Sequence, residues 1–187
     1  MTERAYKTID TLILTSVACA LEAVNVLLMK AVKNEIFTLS VTVPIALIVM
    51  VRWKWPAAVA AVAGGLTYCL CNAAAPAQYL VYGLGNAGVM LNLLWFKSAA
   101  PGKIRGSLWL SLLFALTGFL SAIAGRAAVS MIVSFDLKNI PLLLASDALN
   151  VVIGLVVIAV ARKQNGLFEA QPVYLARMRK EAEGSDE

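Results

Sequence analysis

Six stretches of the chain are long and almost entirely apolar, and they constrain its fold more than any other feature. A helix needs about 20 mostly apolar residues to cross the hydrocarbon layer of a membrane. All six stretches qualify or nearly qualify, the second and third being short. They cover residues 9–31, 37–51, 55–71, 77–96, 107–134 and 140–161. The sequence therefore predicts an all-α integral membrane protein, a bundle of six transmembrane helices.

A basic turn separates the second stretch from the third. It contains Arg52, Trp53 and Lys54. Pro56 follows at the start of the next helix, where the N–H that proline lacks would have no partner within the helix. One long kinked helix would place two basic residues midway through the membrane, which is expensive. We therefore expect two helices joined by a tight cytoplasmic turn.

The composition agrees with a membrane protein. Apolar residues make up 60% of the chain and charged residues 14%, against about 45–50% and about 25% in soluble domains. We interpret the first apolar stretch as a retained span rather than a cleaved signal peptide. The predicted organisation is one membrane domain over residues 1–165, which binds the substrate, and a cytoplasmic tail over residues 166–187, with a short surface helix followed by disorder.

Several classes of chemistry are excluded or disfavoured by the residues present. The chain has no histidine, which excludes hydrolase and protease mechanisms that depend on one. Its three cysteines lie in apolar stretches and are interpreted as small buried hydrophobes, so we predict no metal site. No phosphate-binding Gly-x-x-x-x-Gly-Lys-Ser/Thr motif occurs, and the chain should not hydrolyse ATP itself. We predict no catalytic residues, no cofactor and no nucleic-acid partner.

The positions of the basic residues predict the orientation. With the N-terminus inside, twelve of the 16 Lys and Arg residues fall on the cytoplasmic side, Arg126 falls within a span, and only Lys30, Lys33 and Lys138 fall outside. This bias has the sign of the positive-inside rule, and the four tryptophans lie beside the same inner loops. An even number of spans then places both termini in the cytoplasm.

Charged residues inside the predicted spans are the strongest functional signal. Glu22, Arg126 and Asp147 are buried in apolar sequence, where charges are rare and usually face a protein interior or a wet cavity. With the predicted topology, polar and aromatic residues from five helices fall in the outer half of the membrane. We predict a substrate cavity open to the outside, lined by Glu22, Asn25, Tyr79, Tyr82, Asn86, Arg126, Asp147 and Asn150. The alternative is structural: Arg126 pairs with Asp147 or Glu22, and the amides hold helices together.

A second pattern consists of small residues on the first helix. Ser16 and Ala20 are four residues apart, as are Cys19 and Ala23, so the helix has a flat stripe that another helix can approach closely. Packing within the chain explains the stripe equally well.

Four short motifs carry a family resemblance. They are residues 37–46 (Phe-Thr-Leu-Ser-Val-Thr-Val-Pro-Ile-Ala), the turn 52–57 (Arg-Trp-Lys-Trp-Pro-Ala), Gly64-Gly65-Leu66, and Asp147-Ala-Leu-Asn150 before Val-Val-Ile-Gly. With the layout of residues 8–165, they resemble the substrate-binding S components of energy-coupling factor (ECF) transporters, which capture vitamins for bacteria. The motifs are similar to that family's second helix, inner turn, third helix and start of the sixth helix.

The resemblance implies a multi-pass protein of the bacterial cell membrane with no catalytic activity of its own. Such a protein would bind a vitamin-like ligand and work with a coupling membrane subunit and two ATPase subunits. The small-residue motif that docks on the coupling subunit is matched by Ser16 and Ala20, with serine in place of an alanine, and Ala23 extends this face.

Two other classes of function stay open. One is a small membrane enzyme that acts on lipid or isoprenoid substrates, which would need a carboxylate cluster for Mg²⁺. The other is a non-catalytic scaffold subunit of a membrane complex. The depth of the polar groups discriminates between these alternatives. The ligand is left open as well, because two acids and one base suit a cation, a zwitterion or a neutral ring.

Overall fold

The computed structural model describes residues 2–32, 39–134 and 139–183, and all regular secondary structure in these ranges is helical. The helices are α1 (Glu3–Ala31), α2 (Thr42–Trp53), α3 (Ala57–Asn72), α4 (Pro76–Ser98), α5 (Pro101–Gly106), α6 (Leu108–Ser134), α7 (Asn139–Ala161) and α8 (Gln171–Glu183). Three of them, α1, α4 and α6, contain segments long and apolar enough to cross a membrane. The prediction of an all-helical protein is thus confirmed, and three of its helices are candidates for crossing a membrane. Each predicted stretch corresponds to one helix, although residues 37–38 lie outside the described residues.

Helix α2 is the centre of the bundle. All twelve of its residues are buried, and it packs against α1, α3, α4, α6 and α7, which follow one another around it in that order. Its sequence is apolar on every side, as expected for a helix enclosed by protein. At 1.5 Å per residue it is about 18 Å long, well short of the ~30 Å hydrocarbon layer. The structure confirms a tight turn after it, since α3 begins at Ala57.

Helix α4 is irregular. A π-helical segment, Leu80–Leu84, is followed by a 3₁₀-helical segment, Ala87–Leu94. Such departures from α-helical geometry change the angle between successive side chains and frequently occur at functional sites. The sequence gives no indication of them, and they alter which side chains of α4 share a face.

Both ends of the described chain lie at the same end of the bundle, which we call the terminal end. The hydroxyl of Tyr6 near the start of α1 donates to Oε1 of Gln171 at the start of α8, at 3.4 Å. Close by, Asp10 accepts hydrogen bonds from Nε of Arg52 at 2.8 Å and from Nε1 of Trp53 at 2.5 Å. A further guanidinium N–H of Arg52 donates to the carbonyl of Gly166. This network joins α1, the end of α2 and the segment before α8.

The segment before α8 is part of the bundle rather than of a separate tail. The side chains of Phe168 and Gln171 are fully buried, and the ring of Phe168 packs edge-on against Phe114 of α6 with 6.3 Å between ring centroids. Glu169 pairs with Arg105 at 2.6 Å. The signal for this packing in the sequence was Phe168, an aromatic residue in a mostly polar stretch. The helix predicted after it is α8, and the predicted disorder at residues 184–187 lies outside the described residues.

Candidate functional site

The opposite end of the bundle contains a cavity surrounded by polar side chains. Glu22 lies on α1 twelve residues beyond Asp10, about 18 Å further along the axis. Because neighbouring helices alternate in direction, the late parts of α1, α3 and α6 meet the early parts of α2, α4 and α7 here. The cavity is lined by Glu22, Ser40, Thr42, Val43, Gly65, Tyr68, Tyr82, Asn86, Phe119, Arg126, Asp147 and Asn150. Six of the eight residues predicted to bind substrate are in this set.

A buried ion pair crosses one wall of the cavity. The guanidinium of Arg126 on α6 lies 2.8 Å from Oδ2 of Asp147 on α7, and both side chains are almost fully buried. The same guanidinium lies over the ring of Tyr82, with Cζ 5.7 Å from the ring centroid. The sequence left open whether Arg126 pairs with Asp147 or Glu22, and the structure shows the pair with Asp147.

Glu22 is held by hydroxyl groups. Its Oε2 accepts hydrogen bonds from Oγ of Ser40 at 2.9 Å and from Oγ1 of Thr42 at 3.0 Å. Only 1% of Glu22 is exposed. The two hydroxyls are at the start of α2, and they fix the carboxylate in the wall of the cavity.

A chain of hydrogen bonds connects Glu22 with the ion pair. Besides bonding Glu22 through its hydroxyl, Ser40 donates its backbone N–H to Oδ1 of Asn150 at 2.8 Å. Asn150 in turn donates from Nδ2 to Oδ1 of Asp147 at 3.0 Å. The three charged groups therefore belong to one connected polar network, in which a change to one group alters the hydrogen bonds of the others.

The remaining wall is aromatic, with one incompletely bonded amide. The rings of Tyr68 and Tyr82 are tilted against each other with 4.9 Å between centroids. Asn86 donates from Nδ2 to the carbonyl of Ala61 at 3.3 Å, while its buried Oδ1 has no hydrogen-bond partner. Because the Ala61 carbonyl can only accept a hydrogen bond, the amide nitrogen of Asn86, and not its oxygen, has to face Ala61. The buried Nε of Arg126 also has no hydrogen-bond partner.

Two predicted residues do not line the cavity in the described part of the structure. Asn25 and Tyr79 are half-buried on α1 and α4. The sequence spacing of Tyr79 and Tyr82 puts both rings on one face only in a regular α-helix, and the π-helical segment Leu80–Leu84 interrupts that spacing. Their role in ligand binding stays a prediction. Ser40 and Thr42 were not among the predicted residues. Their only signal in the sequence is that two hydroxyl residues stand at the start of a helix, at the same depth as Glu22.

Asn92 has a structural role. It is buried on α4 below the cavity and donates from Nδ2 to the backbone carbonyl of Phe114 on α6, at 2.6 Å. It joins two helices and does not line the cavity.

The cavity is small in this conformation. Its volume is about 20 Å³, roughly the space that one water molecule needs. Sites for organic ligands usually have about 300–1,000 Å³. A ligand larger than water therefore has to separate the lining side chains.

The small-residue stripe on α1 faces away from the bundle. Ser16 and Ala20 are exposed and Ala23 is half-buried, whereas Ala18 and Glu22 point inward. Packing of Ser16 and Ala20 within this chain, the alternative explanation of the stripe, is not what the structure shows. They lie on a wide apolar face with Ile9, Ile13, Val24 and Leu27.

Close contact between α4 and α6 places Arg126 beside the cavity. A Cβ added to Gly125 would lie 2.3 Å from the carbonyl oxygen of Gly85 and 2.8 Å from Cα of Gly88. Both contacts are with backbone atoms, which cannot rotate away. Glycine is therefore required for the helices to approach this closely.

We expect Gly125→Ala to destabilise the protein by about 1–3 kcal/mol through overpacking. Gly102→Ala is the matched control, because a Cβ there would have nothing within 4 Å. Both variants gain alanine's higher helix propensity, so the difference between their unfolding midpoints in detergent isolates the clash. Equal midpoints would contradict the close approach.

Comparisons with known proteins do not assign the chain to a family. No family model matches it, and no curated protein or solved structure is significantly similar to it.

Proposed function

We propose that this chain is the substrate-binding membrane subunit of an ECF-type importer. It captures a vitamin or a similar small nutrient on the extracellular side of a bacterial cell membrane, and a coupling membrane subunit and two ATPase subunits supply the energy for import. In this proposal all six long stretches span the membrane, with the short α2 enclosed by protein at the centre of the bundle, both termini are cytoplasmic, and the cavity end faces outward.

The observation that carries the proposal is the convergence of charged, amide, phenolic and hydroxyl side chains from six segments on one cavity at one end of the bundle. Ligand sites are typically apolar enclosures with a few polar groups that fix the orientation of the ligand. A scaffold subunit needs no such cluster. An enzyme that uses Mg²⁺ needs several free carboxylate oxygens, and here Asp147 is occupied by Arg126 and Asn150.

The small volume also fits capture followed by release through partners. Binding has to move the lining side chains, among which the Arg126–Asp147 ion pair and the Ser40 contacts join α6 to α7 and the start of α2 to its neighbours. A ligand enclosed by such a rearrangement would leave only after another change of the bundle, and we assign that change to the coupling subunit.

The test combines ligand identification with reconstitution. We expect mass spectrometry of the purified chain to reveal a copurified small molecule. In liposomes, the chain alone should bind that molecule without accumulating it. Adding the coupling subunit, the ATPases and ATP should produce concentrative uptake, and withholding ATP is the control. Uptake by the lone chain along a proton or sodium gradient would overturn the proposal.

A further inference from the structure

Glu22 is a buried carboxylate that forms no ion pair with any residue that the structure describes, although Arg126 lies close enough to attract it. Its hydrogen bonds come from the neutral hydroxyls of Ser40 and Thr42 and from the backbone of Val41, and the ion pairs of the described residues involve other acids. Hydroxyl donors stabilise a carboxylate, but they do not neutralise its charge. A buried charge without a counter-ion is costly to keep.

The other charges of the cavity cancel each other. Arg126 and Asp147 form a 2.8 Å ion pair, so the base that lines the cavity is already used. The side chains around the cavity thus have one formal negative charge more than positive charges, and that excess is at Glu22. An occupant with a positive charge would remove the imbalance, whereas an anion would double it.

The neutral groups of the cavity suit the same occupant. The phenol rings of Tyr68 and Tyr82 form an aromatic wall, and an aromatic face attracts cations and flat rings. The buried Oδ1 of Asn86 lacks a donor, and a ligand N–H or ammonium supplies one. The buried Nε of Arg126 needs an acceptor, so the complementary molecule also carries an oxygen or a ring nitrogen.

We propose that the site selects small organic cations: a flat ring bearing a protonated or quaternary nitrogen, with Glu22 as the counter-ion and Tyr68 and Tyr82 against the ring. This inference rests on the proposed function and names its substrate class. Glu22 discriminates by charge, and the paired Arg126 orients the ligand without adding net charge.

Three probes of one shape and different charge test the inference. Benzylamine, benzyl alcohol and benzoate share a benzyl-sized ring and carry charges of +1, 0 and −1 at neutral pH. We expect the purified chain in detergent to bind benzylamine about tenfold or more tighter than benzyl alcohol, and benzoate weakest, by isothermal titration. Equal affinities, a preference for benzoate, or no binding of any probe would overturn the proposal.

Substitution locates the selectivity. Glu22→Gln keeps the shape and can still accept from the hydroxyls, so we expect the preference for the amine to fall to within about threefold. Glu181→Gln, at an exposed acid of α8, should leave it unchanged. A preference that survives Glu22→Gln would refute the role of Glu22. If this variant does not fold, the wild-type series still decides the charge class.

The outcomes also separate this inference from the proposed function. ATP-dependent uptake of a neutral or anionic nutrient would leave the importer proposal standing and overturn the cation class. Cation-selective binding without uptake in the presence of all partners would do the opposite.

Discussion

Replacing Arg126 with methionine is expected to be the most damaging single substitution in the bundle. It leaves Asp147 as a buried charge without its partner, and breaking a buried pair in this way costs about 3–5 kcal/mol. It also removes the guanidinium over Tyr82. We expect a large fall in the unfolding midpoint in detergent and at least about a hundredfold loss of affinity for the copurified ligand.

A double variant separates pairing from other effects of this substitution. Arg126→Met with Asp147→Asn removes both charges, and the asparagine can still accept from Asn150 through Oδ1. We expect it to recover at least about 2 kcal/mol relative to Arg126→Met alone, while ligand binding stays lost. The control is Arg179→Met at an exposed position of α8. If the stability losses of the two single substitutions simply add in the double variant, the ion pair does not hold α6 and α7 together.

The second large effect is expected at the stripe on α1. Ser16→Trp and Ala20→Trp add a large ring to a face that is exposed in this chain, so the isolated protein should bind ligand with unchanged affinity. If the coupling subunit packs there, overpacking of about 1–3 kcal/mol at a close helix contact should reduce copurification of the complex, and uptake should fall at least about tenfold. Pull-down and liposome uptake measure the two quantities.

Val152→Trp is the matched control, because Val152 is an exposed apolar residue on α7 outside the stripe. It should bind ligand and assemble like the wild type. Should the Val152 and Ser16 variants assemble equally well, the docking face lies elsewhere on the bundle.

Much of the cavity could be predicted because charges in apolar sequence are costly. Glu22, Arg126 and Asp147 are separated by up to 125 positions, yet each is recognisable as a charged residue in an apolar stretch. Because successive helices alternate in direction, all three were placed at the same depth in the membrane. Asn150 followed from its spacing to Asp147, and Tyr82 and Asn86 from their spacing to each other. The pairing partner of Arg126 could not be predicted, because it depends on how each helix is rotated about its axis, which the sequence does not indicate directly.

What the sequence missed has physical causes as well. Ser40 and Thr42 are ordinary residues at a helix start, and only the three-dimensional position of Glu22 gives them a role. Tyr79 was aligned with Tyr82 by regular helical spacing, which a π-helical segment does not keep. The central position of α2 was likewise hidden, because a short apolar helix can be a thin span or a core, and only the packing of its neighbours decides.

The network at the terminal end sets an order in which the protein can be completed. Arg52 emerges from the ribosome early, but Gly166, whose carbonyl it binds, is synthesised 114 residues later. Phe168 and Gln171, which are fully buried in the finished bundle, come later still. Because the long apolar helices precede this segment, part of the Arg52 guanidinium at the end of α2 has no partner until Gly166 has been made. Residues 166–171 therefore close the terminal end of the bundle, and a nascent chain stopped at residue 165 would lack that closure.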